Sequence, residues 1–239
     1  MSNATKGDKH WPGFCFLLLS VTVTASADCA LAQVPATSLP RQPVKMQEAA
    51  SGYRLILRIH DYARVKPGTL SPAKGIAEQV FSASGIELVW FDVPLTHAEL
   101  ANSTASLEVL GGTVVDLSIL PRSMTALAKL PELSLGRTPM TQEGECVTIA
   151  SVYYDRIERS ARYTSASTAQ ILGYAIAHEL GHILLRTTHH SSTGIMIAKW
   201  RPTELQHAAQ GLLGFSAQQA ECMRAEIAVR EKTQQCLPH

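Results

Sequence analysis

His178-Glu179-Leu180-Gly181-His182-Ile183-Leu184-Leu185-Arg186-Thr187-Thr188-His189-His190 is the stretch from which the rest of this 239-residue chain can be understood. Apolar residues at Ile171, Leu172, Ala175, Ile176 and Ile183 recur with helical spacing and predict a helix over residues 165–185. Four residues advance a helix by about 400°. His178 and His182 therefore project from one face, one turn apart, as two neutral imidazoles must to hold one Zn²⁺ at about 2.0–2.1 Å. Glu179, beside the first histidine, is placed to take a proton from a metal-activated water and hand it to a leaving amine.

A catalytic zinc takes three protein ligands and keeps one position open. No aspartate follows His182, so the candidates for the third ligand are His189, His190, His207, Glu204, Glu221 and Glu226. A helix continued to His190 would carry it about 12 Å along the axis beyond His182, out of reach of the metal. The helix must end near Leu185 or Arg186 and the chain must reverse, which the poor helix formers Thr187 and Thr188 permit. Adjacent residues on an extended segment point to opposite sides, so only one of His189 and His190 can face the metal, and spacing does not choose between them.

The segment resembles the metzincin metalloprotease pattern H-E-x-x-H-x-x-G-x-x-H followed by a Met-turn. His178, Glu179 and His182 match, and Gly194-Ile195-Met196 resembles the Met-turn; Leu185 stands at the glycine position and Thr188 at the third histidine. The longer run to Trp200 is similar to a group of bacterial predicted secreted metal-dependent proteases, of pattern H-E-[IL]-G-H-L-L-L-G-x-x-x-H-S-x-x-G-I-M-x-x-x-W. Arg186 departs from the glycine common there, and Ile119-Leu120-Pro121-Arg122 and Tyr153-Tyr154-Asp155-Arg156 are also similar to that group. The resemblance implies Zn²⁺ as cofactor, His178, His182 and His190 as its ligands, Glu179 as general base, and a peptide or protein as substrate. It further implies a peptide extended along a sheet edge near residues 133–138.

Working outward, residues 53–59, 86–91, 114–120 and 147–154 are β-prone, with a weaker strand candidate at 133–138. Ser71-Pro72 is expected to open a helix that ends before Gly85. Further helices are expected over residues 202–210 and 216–231, the latter capped by Ser216. Strands early and helices late predict an α+β domain. With the resemblance, this becomes a metzincin-like zincin domain: a twisted mixed β-sheet, an active-site helix and C-terminal helices over residues 52–239.

Residues 1–32 read as a signal peptide: Lys6 and Lys9, an apolar run at 14–23, and small-residue cleavage sites at Ala25-Ser26-Ala27 and Ala30-Leu31-Ala32. Residues 33–51, rich in Pro, Ala, Ser and Gln, read as a linker. The mature chain is expected outside the cytoplasm, secreted or periplasmic, with no stable membrane insertion. Export permits disulfides, and Cys146 is the expected partner of Cys222 or Cys236, which are too far apart along one helix to bridge each other. A formal net charge of +1 makes no electrostatic case for nucleic acid or an anionic membrane as partner. Nothing in the sequence selects an oligomeric state.

Bland readings serve elsewhere. Cys146, Trp90 and Tyr154 are read as core or disulfide residues, and His60, His97 and His207 as surface or packing residues. Asp155 is read as a helix cap, and Asn102-Ser103-Thr104 matches a glycosylation sequon. Two alternatives stay open: a gluzincin-like hydrolase with Glu221 or Glu226 as third ligand, and a secreted metal-binding protein without catalysis, for which Glu179 would be superfluous.

Overall fold

The computed structural model describes residues 52–96, 112–126, 134–139 and 146–233. The signal and linker segments, His97, the sequon and Cys236 lie outside them. Among the described residues the elements are strands β1 (Tyr53–Asp61), β2 (Ile86–Asp92), β3 (Thr113–Leu120), β4 (Gly136–Arg137) and β5 (Ile149–Tyr153), and helices α1 (Pro67–Ser82), α2 (Arg122–Thr125), α3 (Tyr154–Arg162), α4 (Thr168–Leu185), α5 (Pro202–Ala209) and α6 (Ala217–Thr233).

The strands form one mixed sheet in the order β2-β1-β3-β5-β4. β1 pairs parallel with β2 and β3, and β3 parallel with β5. Only β4, at the edge, runs antiparallel, pairing Gly136 with Val152 and Arg137 with Ser151. Parallel neighbours need a crossover rather than a hairpin, and α1 is the crossover between β1 and β2. Early strands and helices thus alternate, and the segregation expected from the sequence holds only after β5.

β3 alternates buried and half-buried residues along its whole length. Val115, Leu117 and Ile119, with Leu55, Leu57 and Ile59 of β1 and Ala150 and Val152 of β5, are fully or almost fully buried. α1 and α4 pack against each other, and α4 also packs on β5. Burying each Leu or Ile side chain in this layer contributes roughly 1.5–3 kcal/mol to the fold. α4 is buried on nearly every side, from Ile171 to Leu184. At Gly173 a Cβ would stand 2.6 Å from the Ala73 carbonyl oxygen and 2.8 Å from the Ile76 Cβ, so α1 crosses α4 where α4 has no side chain.

Several boundaries differ from expectation. α1 starts four residues before Ser71, because Pro67 occupies the first helical turn. Pro72 sits inside the helix on its exposed side, where the carbonyl left without a partner can turn to water. The strand expected over 147–154 is only Ile149–Tyr153, and the chain passes directly into α3. In α3, Tyr154, Ile157 and Ala161 recur at helical spacing and face the core, but the helix follows β5 without a turn and opens on a β-prone tyrosine, so no break in the sequence marks its start. Asp155 lies in the first turn of α3, but the capping position itself is Tyr153.

α6 begins as expected at Ser216, which exchanges two hydrogen bonds with Gln219, of 2.9 and 3.1 Å. Its Arg230 is buried and donates to Glu226 Oε1 (2.7 Å), the Val147 carbonyl (3.0 Å) and the Ile183 carbonyl (3.3 Å), tying α6 to α4 and to the approach to β5. Cys146 and Cys222 are both disulfide-bonded, as expected for Cys146. No described helix is long and apolar enough to cross a membrane.

Candidate metal centre

Ser167 caps α4 through a reciprocal pair of bonds with Gln170, fixing the start of the helix that carries the histidines. At its other end Arg186 adopts a left-handed conformation (φ 50°, ψ 42°), and its N–H reaches back to the His182 and Ile183 carbonyls. This is how the chain reverses where the sequence required it. Glycine is the usual residue in such a cap; here an arginine takes it, with its guanidinium 4.0 Å from Glu226.

The reversal brings His190 back over His178 and His182. Ring centroids are 4.7 Å apart for His178 and His182, 5.4 Å for His178 and His190, and 4.9 Å for His182 and His190. One nitrogen from each of the three lies within 4.8 Å of the others. His189 does not join them; its Nδ1 lies 3.2 Å from the Thr187 hydroxyl. Nor do the other candidates. Glu204 caps α5 by accepting from the Arg201 N–H, Glu226 accepts from Arg230, and His207 and Glu221 are exposed.

Two backbone carbonyls set the histidine tautomers. His178 Nδ1 donates to the Ile195 carbonyl (2.8 Å) and His182 Nδ1 to the Thr187 carbonyl (2.7 Å). With both Nδ1 atoms protonated, each Nε2 carries a lone pair, and these two Nε2 atoms stand 3.1 Å apart. Two acceptors that close repel unless a cation lies between them. Tetrahedral coordination at about 2.05 Å would separate two ligand nitrogens by about 3.3 Å, so the pair fits zinc. Burial holds the His178 imidazole down at about 4, against the pull of the Ile195 carbonyl, and lowers His182 and His190 as well. All three are neutral near pH 7, as metal ligands must be. These residues can hold a metal ion.

The loop after His190 supports the site from below. The Ser191 N–H donates to the Met196 carbonyl (2.8 Å), the Ile195 N–H to the Gly214 carbonyl (3.0 Å), and Gly194 turns at φ 75°. Met196 is buried, and its Sδ would be 2.6 Å from a Cβ on Gly181. The methionine therefore lies against the bare helix backbone beside His182. Trp200 follows, its ring 6.1 Å from that of His178.

Glu179 points from the same helix towards β4 and is only 6 % exposed. The Thr138 hydroxyl lies 2.9 Å from both Glu179 Oε2 and the Glu179 carbonyl oxygen. A Cβ at Gly136 would come within 2.7 Å of Glu179 Cγ and Oε1. Burial pushes the carboxyl up to about 7, and the Thr138 bond works the other way. Glu179 and the three histidines border one cavity of ≈ 440 Å³ between β4 and the loop to Trp200, with Arg137 and Lys199 on its walls. The motif named His178, Glu179 and His182, and the resemblance alone named His190; the fold brings these four to one cavity. Sequence reasoning missed Gly136 and Thr138, which carry no motif and reach the site only through sheet pairing.

No protein-family model matches this chain, and neither does any curated protein. Among solved structures, a zinc-dependent peptidase from Methanocorpusculum labreanum (strain Z) aligns over 72 % of this chain and 100 % of its own, at 15 % identity and a TM-score of 0.44. Archaemetzincin from Methanopyrus kandleri aligns over 74 % of this chain and 96 % of its own, at 15 % identity and a TM-score of 0.40. Likeness this low says nothing of what this chain does, which its own site has to indicate.

Proposed function

We propose that this chain is an exported zinc-dependent peptidase of metzincin-like fold, with His178, His182 and His190 as zinc ligands and Glu179 as general base. The observation that carries the reading is the convergence of three neutral imidazole nitrogens, within 4.8 Å of one another, on a cavity shared with one buried carboxylate. Bound zinc would supply Lewis acidity, polarising a carbonyl and making water a nucleophile near neutral pH. The carbonyls of Ile195 and Thr187 hold the imidazoles in the ligating tautomer. Glu179, with a carboxyl pushed up to about 7, is matched to taking a proton near neutral pH and returning it to the leaving amine.

β4 is the sheet edge bordering the cavity, which supports a peptide substrate pairing alongside residues 134–138. Export of the chain by way of residues 1–32 belongs to the same reading, supported by the disulfide-bonded Cys146 and Cys222. The test is zinc content and cleavage of an unstructured protein such as casein, with and without chelator, for the wild type and Glu179→Gln. Expected are about one zinc in each protein, turnover only in the wild type, and a loss of about 10²–10⁴-fold in the variant. Full activity in Glu179→Gln would remove it as the base. Zinc binding without any cleavage would favour a binding protein.

A further inference from the structure

We propose that Thr138 is a positioning residue for the general base: its hydroxyl holds Oε2 of Glu179, so that Oε1 is the oxygen that takes the proton. The inference rests on the reading of Glu179 as base. It adds a residue that the metal motif does not contain, from the opposite wall of the cavity.

Glu179 has three side-chain torsions, and a buried carboxylate with no partner would sample several of their combinations. Thr138 Oγ1 lies 2.9 Å from Oε2, within ordinary hydrogen-bond range. The same oxygen lies 2.9 Å from the backbone carbonyl of Glu179, so Thr138 registers both ends of this residue. A hydroxyl has one proton to give, and the ionised oxygen is the stronger acceptor. While Glu179 is a carboxylate, the proton goes to Oε2, and Oε1 keeps its lone pairs for an incoming proton. After the transfer from water, Oε1 carries that proton, and the neutral Oε2 shares the Thr138 hydroxyl with the Glu179 backbone carbonyl. The hydroxyl therefore grips Oε2 most strongly while Oε1 is the oxygen awaiting the proton.

Gly136 completes the arrangement. Any Cβ there would stand 2.7 Å from Oε1 and from Glu179 Cγ, so the glycine leaves the proton-carrying oxygen its space. Both residues belong to the edge segment that borders the cavity. A peptide seated on that edge would thus press on the same backbone that holds the base.

The test compares Thr138→Val, Thr138→Ser and the wild type as zinc-loaded full chains. Thr138→Val should lower kcat about 10–100-fold with KM and zinc affinity little changed, and Thr138→Ser should restore most of it. A change confined to KM, a loss of zinc, or no change in kcat overturns the proposal. Thr138→Ala is the second variant should valine fail to fold. An arm independent of turnover is a double-mutant cycle on the unfolding of the chelated chain, using Thr138→Val and Glu179→Ala. Thr138→Val should cost clearly less stability in the Glu179→Ala background than in the wild type. Additive effects overturn the contact itself, whereas coupling in a chain that cleaves nothing would leave the contact standing and defeat the peptidase reading.

Discussion

Replacing Glu179 by Gln should stabilise the metal-free protein, and only at high pH. The folded-state carboxyl stands at about 7 against an ordinary 4.5, raised by burial. Because the folded value is raised, its contribution to stability is fully present below pH 4.5 and is lost as pH rises through about 7. That rise from 4.5 to about 7, at 1.36 kcal/mol per pH unit, means that the ionised carboxylate costs the fold about 3 kcal/mol above pH 7. At 6 % exposure, solvent screening takes little from this. Glutamine has the same length, its amide oxygen can accept from Thr138, and it carries no charge to desolvate. Some amide desolvation offsets the gain, leaving roughly 1–3 kcal/mol. The assay is urea unfolding of chelated wild type and Glu179→Gln, disulfides intact, at pH 8 and pH 5. A gain at pH 8 that mostly disappears at pH 5 is expected. A difference that does not change with pH, or a variant less stable at pH 8, would refute the claim that this carboxylate is held in a desolvated site. Saturating zinc should narrow the gap, since a nearby divalent cation favours the ionised form.

Further outcomes follow from the same geometry. His190→Ala should weaken zinc binding by more than about 100-fold, beyond the effect of losing an outer hydrogen bond, whereas His189→Ala should leave it nearly unchanged; competition with a chromogenic chelator reads both. In the chelated Glu179→Gln background, stability should fall as pH drops from 6.5 through about 4. His178 must stay neutral in the fold, and its lowered value of about 4 is worth about 3 kcal/mol, fully present above pH 6.5; a flat urea midpoint over that window would contradict it. Arg186→Gly should raise stability by up to about 1 kcal/mol, because φ 50° is a left-handed conformation that an arginine adopts at a cost. The long ion pair to Glu226 is too weak to reverse that sign; a lower melting temperature would show that it is not.

The metal site was legible in the sequence because most of its geometry is local. Helical rise and twist alone place His178 and His182 one turn apart. The same rise showed that α4 must stop before His190, and the chain does turn at Arg186. The strands were legible as short apolar, β-branched runs between turn residues, and α6 by the helical spacing of Ala220, Met223 and Ile227. α3 was not, since it runs straight on from β5 through the β-prone Tyr153-Tyr154, with no glycine, proline or capping residue to separate strand from helix. Parallel pairing was not either, because which strands become neighbours depends on crossovers rather than on residues within a strand. Spacing left His189 and His190 equivalent; the fold separates them, setting His190 beside His178 and His182 and His189 beside Thr187. Gly136 and Thr138 stand 43 and 41 residues before Glu179. Only the antiparallel pairing of β4 with β5 carries them to its carboxylate, because hydrogen bonds between strands bring together residues that no local rule relates.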